Sequence, residues 1–150
     1  MPAVDACSVR VAVRVRPLVA REKVDRCAEC MTVLDGHGEG GGGGGGHSPQ
    51  VVVGKERQFA YDYVFGTFAT QREIYVACVE PLVCSWFEGY NATVFAYGQT
   101  GSGKTFTMGS CSNMHVYEEE QGIITRVATE VFERMESATF IEDLARPRPA

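Results

Sequence analysis

The alternation of hydrophobic and polar residues in the first half of the chain predicts several short strands. Residues 9–15 alternate valine or alanine with other residues, which is the two-residue period of a half-buried strand. Residues 30–34 and 51–53 are shorter apolar runs, and residues 58–65 alternate again. We expect the later of these strands to form a small antiparallel lobe beside a main sheet.

A helical pattern begins after these strands, at Thr70. Thr70 followed by Glu73 is the sequence of a capping box, in which each residue bonds the backbone of the other. Pro81 lacks an amide hydrogen, so we expect the helix to bend there. The apolar residues that recur at helical spacing and predict the buried face are Tyr75, Val79, Leu82, Val83 and Trp86. We expect Phe87 to join Trp86 in the core.

A second, longer helix is predicted from Gly122 to the vicinity of Pro147, which would stop it. Its predicted buried face consists of Ile124, Val127, Ala128, Val131 and Met135. Residues 140–143 could instead be an apolar strand that ends in a Mg²⁺-organising acid. We interpret them as helix because the 3.6-residue spacing continues through them.

Between the two helical patterns, residues 98–105 read G-Q-T-G-S-G-K-T and match the phosphate-binding pattern G-x-x-x-x-G-K-[S/T] in full. Residues 92–97, just before it, are a β-branched and aromatic run typical of a buried strand. Residues 105–108 can form the first turn of a helix. Strand, glycine turn and helix start is the arrangement that phosphate binding needs.

The chemistry of this loop is electrostatic. Glycines without a Cβ allow consecutive backbone amides to converge on an anion, and a helix that starts there adds the positive end of its dipole. Lys104 would reach the β- and γ-phosphates, and the Thr105 hydroxyl would bind Mg²⁺. The alternative is a glycine-rich turn with a solvated Lys104, but the strand context favours a nucleoside triphosphate. The expected phosphate-binding residues are Gly98, Gln99, Thr100, Gly101, Ser102, Gly103, Lys104 and Thr105.

Composition and charge exclude several classes of partner. The chain has 150 residues, enough for a single domain, with 45% hydrophobic residues and a formal net charge of −5. Lysine and arginine are scattered, so we expect no nucleic-acid partner. No apolar run approaches the roughly 18 residues of a membrane helix, and the N-terminus lacks a secretory pattern, so we expect no membrane partner either.

One further segment raises the possibility of metal binding. Cys27 and Cys30 are spaced as in zinc sites, but only His37 and His47 lie nearby, at spacings that match no usual finger. We expect reduced thiols in a cytosolic protein instead.

Residues 36–48 contain seven consecutive glycines, and such a tract loses too much backbone entropy on ordering to be anything but a flexible insertion.

Four blocks of the sequence, in order, resemble the kinesin motor domain. Residues 13–18 resemble its first strand with the R-x-R-P ending, residues 59–65 its F-x-F-D-x-V-F strand, and residues 88–94 its E-G-Y-N-A-T-V segment. Residues 94–109, with F-A-Y-G-Q-T-G-S-G-K-T, are similar to its nucleotide loop and far more specific than the generic pattern. The sequence of residues 51–54 and 91–93 favours chromokinesin-like members of the family.

The resemblance implies a fold, a ligand and a partner. The fold would be α/β: a partial P-loop NTPase of the kinesin-motor type, with a central sheet, flanking helices and a small antiparallel lobe. The ligands would be ATP and Mg²⁺, and the partner the microtubule (tubulin), which implies a cytoplasmic location on the cytoskeleton. The residues implied to contact adenine and ribose are Arg14, Arg16, Pro17 and Phe106. From residue preferences alone, Arg14 and Arg16 would be exposed charges at a strand end.

The resemblance covers residues 8–136, apart from the glycine insertion, and residues 137–150 are a divergent tail. The family's N-x-x-S-S-R-S-H segment does not occur, no D-x-x-G segment follows the phosphate loop, and the basic elements that grip the microtubule are missing. We therefore expect the N-terminal portion of a motor, truncated before the switch segments, that hydrolyses ATP negligibly alone.

Two other functions remain open at this point. The chain could be a non-catalytic fragment that binds nucleotide weakly or interacts with a partner. The resemblance implies that the strands on either side of residues 92–97 come from later sequence in the kinesin fold, so these residues would lack their neighbours here. It could also be another nucleotide-loop enzyme, such as a small-molecule kinase. That enzyme would need a Walker-B strand and a lid, and the sequence shows neither.

Overall fold

The computed structural model describes residues 9–34, 48–109 and 117–145, the last eight of these through their backbone only. The chain forms two compact units, Met1–Ala69 and Thr70–Ala150. No helix in the described ranges combines the length and the apolar character that crossing a bilayer requires.

The described residues of the first unit form two small sheets. Its elements are β1 (Ala12–Arg14), α1 (Ala20–Val24), β2 (Met31–Leu34), β3 (Gln50–Val53), β4 (Arg57–Ala60) and β5 (Tyr63–Phe65). β1 pairs in parallel with β5, with Val13 opposite Val64. β2, β3 and β4 form an antiparallel sheet in that order, with Val52 opposite both Thr32 and Gln58. The predicted antiparallel lobe is therefore present, and it holds the chain on both sides of the glycine tract, which lies outside the described residues except for Ser48.

The alternating stretch at residues 58–65 is not one strand, because its two halves serve different sheets. The Tyr61 amide donates to the Pro49 carbonyl at 3.0 Å and closes the β3–β4 ladder. The next residue, Asp62, accepts from the Val11 amide at 2.7 Å through its carboxylate and so begins the contact with β1. Alternation alone predicts the faces of a strand and does not show where the chain changes partner.

The second unit consists of helices. They are α2 (Gln71–Cys78), α3 (Glu80–Phe87), α4 (Lys104–Met108) and α5 (Ile123–Ala145), with a 3₁₀ turn at Glu118–Glu120. The capping box of α2 is confirmed: the Thr70 hydroxyl accepts from the Glu73 amide at 3.2 Å, and the Thr70 amide donates to the Glu73 carboxylate at 2.7 Å. The Thr70 amide and the Thr70 hydroxyl, which donates to the same carboxylate at 3.0 Å, lower the pKa of Glu73. Residues 140–143 lie in α5, so their helical interpretation is also confirmed.

The bend predicted at Pro81 is a break between two helices. α2 ends at Cys78, Val79 separates the helices, and Pro81 lies in the first turn of α3, where a missing amide hydrogen costs no helical bond. Tyr75, Val79 and Val83 are buried as predicted and form the core with Ile123. The partly buried side chains around this core are those of Cys78, Met108, Val127 and Val131.

Two predictions about buried faces are wrong. Trp86 and Phe87 are 47% and 42% exposed, and their rings meet edge to face with centroids 5.1 Å apart. Among the described side chains of α5, Ile123 is buried, whereas Ile124 and Met135 are exposed. Helical spacing identifies residues that share a face, but which face is covered depends on the packing of the α3 and α5 helices with α2.

The predicted strand at residues 92–97 does not form. Residues 91–97 have no regular secondary structure and are exposed; the exposed fractions are 88% for Phe95 and 101% for Tyr97. A strand is stabilised by hydrogen bonds to a neighbouring strand, and no strand in the described part of the chain pairs with this segment. The β-branched and aromatic composition of residues 92–97 favours a strand, but the described elements include no neighbouring strand with which it could pair.

Candidate functional site

The loop at residues 98–103 connects this irregular segment to α4. The Ser102 amide donates to the Gln99 carbonyl at 3.2 Å, which makes the loop turn on itself. Gly101 and Gly103 have φ values of 81° and 97°, in the left-handed region that other residues rarely adopt. Gly103 is the residue immediately before α4, so the backbone reverses direction and enters the helix within one residue. The glycine spacing in the sequence therefore corresponds to the positions where the backbone requires it.

Ser102 and Gly98 approach each other closely across the loop. A Cβ atom on Gly98 would lie 2.6 Å from the Ser102 hydroxyl oxygen, so a larger residue at position 98 would require the Ser102 side chain to move. The same hydroxyl is buried and has no hydrogen-bond partner in the structure. Buried polar atoms in proteins nearly always have a partner, so an unpartnered hydroxyl inside a glycine loop suits a site that receives a polar ligand.

Lys104, the first residue of α4, folds back over the loop. Its ammonium group donates to the carbonyl of Gly98 at 2.7 Å and to that of Gln99 at 2.8 Å. Both acceptors are neutral. A phosphate oxygen carries negative charge and makes a stronger hydrogen bond with an ammonium group, so it would compete well for Lys104.

Thr105 and Phe106 follow in the first turn of α4. Both side chains are exposed, so the hydroxyl and the ring are accessible. The Thr107 amide donates to the Gly103 carbonyl at 2.9 Å and the Gly109 amide to the Thr105 carbonyl at 2.8 Å, and these bonds join the helix to the residues on either side of it. Behind it, Gly109 packs against Gly122 so closely that a Cβ on Gly122 would lie 2.3 Å from the Gly109 nitrogen. Lys104 and Thr105 therefore project from a short helix whose far end is held by the start of α5.

Arg14 and Arg16 lie in the first unit and have different surroundings. Arg14 is half-buried and donates to the Ala69 carbonyl at 3.2 Å, and burial lowers its pKa. Arg16 makes two hydrogen bonds to the Glu22 carboxylate, at 2.6 and 2.7 Å, and one to the Pro17 carbonyl. The two bonds from Arg16 to the carboxylate, with one from the Val19 amide, lower the pKa of Glu22 to about 2.

The predicted base-binding residues are thus divided between the two units. Arg14, Arg16 and Pro17 belong to the first, and Phe106 belongs to the second. Their joint contact with adenine and ribose stays a prediction. In addition, Glu22 holds the guanidinium of Arg16 near the end of β1, an interaction between α1 and the R-x-R-P segment that the sequence pattern does not indicate.

The cysteines of the described ranges are free thiols. Cys27 and Cys30 are exposed, and the described residues contain no group of three or more His, Cys, Asp or Glu that could hold a metal ion. His37 and His47 lie outside these ranges. Cys78 borders the core, whereas Cys84 is exposed and its sulfur lies 3.4 Å from the Arg134 guanidinium.

Comparison of the sequence with known families and proteins gives one family. The model of the kinesin motor domain matches residues 14–143. The human kinesin-like protein KIF21A is 47% identical over 137 residues, which cover 91% of this chain and 8% of that protein. The human kinesin-like protein KIF7 is 41% identical over 144 residues, 96% of this chain and 10% of that protein. The chain therefore spans about a tenth or less of the length of these relatives.

Comparison of the structure gives the same family. The crystal structure of the Drosophila kinesin family member Kin10/NOD, in complex with divalent manganese and ADP, superposes with a TM-score of 0.68 and 30% identity. The superposition covers 87% of this chain and 39% of that one. The structure of a fast kinesin matches with the same TM-score, 29% identity and 32% of its own chain covered. The expected α/β kinesin-motor fold, present in part, is confirmed.

Proposed function

Because this chain belongs to the kinesin motor domain family, we propose that it binds ATP with Mg²⁺ through residues 98–105. The observation that carries the proposal is the geometry of the loop itself. Gly101 and Gly103 adopt glycine-specific backbone conformations, the Ser102 hydroxyl is buried without a partner, and Lys104 holds its charge over the loop carbonyls. A triphosphate would supply acceptors for the lysine and the serine together.

The residues of the loop have separate tasks in this proposal. The backbone amides of Gln99, Thr100 and Gly101 surround the phosphate chain, and Gly98 and Gly103 keep side chains out of it. Lys104 exchanges its two carbonyl acceptors for phosphate oxygens, and Ser102 gains a partner. Thr105, whose side chain is exposed at the start of α4, would hold Mg²⁺ through its hydroxyl. When bound, Mg²⁺ neutralises part of the phosphate charge.

Arg14, Arg16, Pro17 and Phe106 are proposed to contact adenine and ribose. Phe106 is half exposed on α4 and offers a face for stacking. Arg16 is bonded to the Glu22 carboxylate and the Pro17 carbonyl, and Arg14 is bonded to the Ala69 carbonyl. Both side chains are therefore ordered before the nucleotide binds, and they would lose little conformational entropy on binding. Residues 8–136 would form the motor portion, interrupted by the insertion at 36–48, and residues 137–150 a divergent tail.

At the level of the whole protein, we propose that ATP hydrolysis drives movement along microtubules in the cytoplasm. Support comes from the family and from the similarity to Drosophila NOD, which has been docked with bovine tubulin into a map of the nucleotide-free complex with the microtubule. The chain covers 39% of that NOD structure, so hydrolysis and movement are properties proposed for the longer protein.

Calorimetric titration with Mg·ATP tests nucleotide binding. We expect saturable binding to the 150-residue chain and a loss of affinity of at least about tenfold in Lys104→Ala, because a charge-assisted hydrogen bond contributes about 1.5–3 kcal/mol. Lys23→Ala, at an exposed position of α1, is the matched control and should bind like the wild type. Absence of binding to the wild type, or equal loss in both variants, contradicts the proposal.

A second candidate function is nucleotide binding without hydrolysis. Two observations favour it for this chain by itself: no D-x-x-G segment follows the phosphate loop, and residues 91–97 are exposed and unpaired. Catalysis of phosphoryl transfer needs groups that orient the attacking water, and the loop does not provide them. We expect negligible turnover from the purified chain, with or without microtubules. Microtubule-stimulated phosphate release from it would exclude this candidate.

A further inference from the structure

The side-chain amide of Gln71 joins three elements of the second unit. Gln71 is the first residue of α2 and is 4% exposed. Its amide nitrogen donates to the Phe106 carbonyl of α4 at 2.6 Å and to the Glu120 carbonyl of the 3₁₀ turn at 3.3 Å. A primary amide has two N–H donors, and here both are directed at the backbone of neighbouring segments.

The shorter of these bonds goes to a helix that cannot be stable alone. α4 has five residues, and forming the first turn of a helix is unfavourable unless packing or outside hydrogen bonds support it. The last four carbonyl groups of a helix depend on donors from outside it, and in this five-residue helix Phe106 carries one of them. Gln71 provides such a donor from a buried position, where the strength of the bond is not reduced by water.

The longer bond goes to a turn that is itself fixed. The Arg126 guanidinium of α5 donates to the Glu118 carbonyl at 2.6 Å and to the Gln121 carbonyl at 3.0 Å. Glu120 lies between these two anchored residues, so Gln71 connects α4 to a rigid neighbour. At the C-terminal end of α4, the contact between Gly109 and Gly122 leaves no space for the helix to move toward α5.

We propose that Gln71 is a positioning residue for nucleotide binding. It holds the backbone of α4, and α4 in turn presents Lys104 and Thr105, so Gln71 acts on the phosphate loop without contacting the nucleotide. This inference rests on the proposed function, because it assigns Gln71 to the same site. It also has a structural consequence that does not need a ligand, namely that α4 opens more readily when the two bonds are removed.

The test compares Gln71→Met with Thr70→Ala. Methionine has nearly the length of glutamine but no donor, so it removes both bonds while keeping the position filled. Thr70→Ala removes the N-cap of the same helix and lowers the stability of the fold without touching the bonds to α4. Affinity for Mg·ATP is measured by calorimetry, and opening of α4 by hydrogen exchange at the amides of Thr107 and Gly109, which close the helix.

We expect Gln71→Met to weaken Mg·ATP binding about tenfold, equivalent to about 1.4 kcal/mol, and to accelerate exchange at both amides. Thr70→Ala should bind like the wild type at temperatures where both variants are folded. Gln71→Asn, which is one methylene shorter and reaches at most one carbonyl, should lie between them and replaces the methionine variant if that one does not fold.

Equal affinities of the Gln71 variants and the wild type would overturn the inference, as would equal losses in Gln71→Met and Thr70→Ala. If the wild-type chain did not bind Mg·ATP at all, the proposed function would fail first. Exchange at Thr107 and Gly109 would still decide separately whether Gln71 holds α4, because that measurement is made without nucleotide.

Discussion

Replacing Gly122 by alanine is expected to separate α4 from α5. Gly122 precedes the first residue of α5 and is buried against the residue that ends α4. A Cβ added there would lie 2.3 Å from the nitrogen of Gly109, 2.5 Å from its Cα and 2.6 Å from the Met108 carbonyl carbon. All three are backbone atoms, so no side chain can rotate away to relieve the contact.

The cost can be worked out from this geometry. The φ of Gly122 is outside the left-handed region, so alanine is not strained by its own backbone conformation, and the clash alone decides the result. Forcing an extra methyl group into a packed site costs about 1–3 kcal/mol. For a unit of this size, about 4–8 °C is lost per kcal/mol, so the thermal midpoint should fall by at least about 4 °C.

Thermal unfolding followed by circular dichroism measures this effect. Gly66→Ala is the control, because a Cβ at Gly66 would have no atom within 4 Å and the φ of that residue is also outside the left-handed region. We expect the control to unfold within about 2 °C of the wild type, as surface substitutions usually do. A Gly122→Ala protein with an unchanged midpoint would show that α4 does not pack against α5 as described.

Two further predictions concern ionisable groups. The pKa of Glu22 in the folded protein is lowered from 4.5 to about 2, chiefly by Arg16. The Arg16–Glu22 pair therefore contributes its full stabilisation of the folded state above pH 4.5, and this contribution is lost as the pH falls toward 2. The Val19 amide, which donates to Glu22, should therefore titrate near pH 2 by NMR, and a midpoint near 4.5, or a titration that persists in Glu22→Gln, would refute the pairing. The Tyr75 hydroxyl donates to the Glu130 carboxylate; burial and this bond raise the pKa of Tyr75 above 10, so its contribution is present below pH 10 and is lost as the pH rises further. Tyr75→Phe should lower the free energy of unfolding by about 1–3 kcal/mol at pH 7 in urea titrations and should remove the loss above pH 10; an unchanged value at pH 7 would contradict the bond.

Local signals in the sequence were sufficient where local chemistry decides the structure. The capping box at Thr70 and Glu73 formed because its two bonds lie within four residues. α2 ends before Pro81 and α3 begins around it, because the proline ring fixes the backbone φ and removes an amide hydrogen. The glycines of the phosphate loop adopt the conformations that their spacing implied. In each case the reason is contained in a few neighbouring residues.

The predictions that failed depend on distant parts of the chain. Residues 92–97 have strand composition, but a strand also needs a neighbour, and residue composition does not provide one. The helical spacing of Trp86 and Phe87 was correct, yet α2 and α5 cover the other side of α3. Gln71 gave no signal at all, because glutamine at a helix start is usually exposed, and its burial arises from α4 and the 3₁₀ turn.

The relatives support the family and leave finer predictions open. The kinesin motor domain model covers the blocks that carried the resemblance, from the first strand to the nucleotide loop. The leaning toward chromokinesin-like members stays a prediction, as do the contacts to adenine and the domain bounds at 8–136. The Arg16–Glu22 pair shows that a residue expected to face a ligand can have a structural partner as well.

Amide chemical shifts of the labelled chain, recorded while Mg·ATP is added, test most directly whether the loop at residues 98–105 binds the phosphates. We expect the largest shifts at Gly101, Gly103 and Lys104, and we expect them to saturate together, with adenosine alone leaving them unchanged. Nucleotide binding that shifts amides elsewhere and leaves these three in place would contradict it.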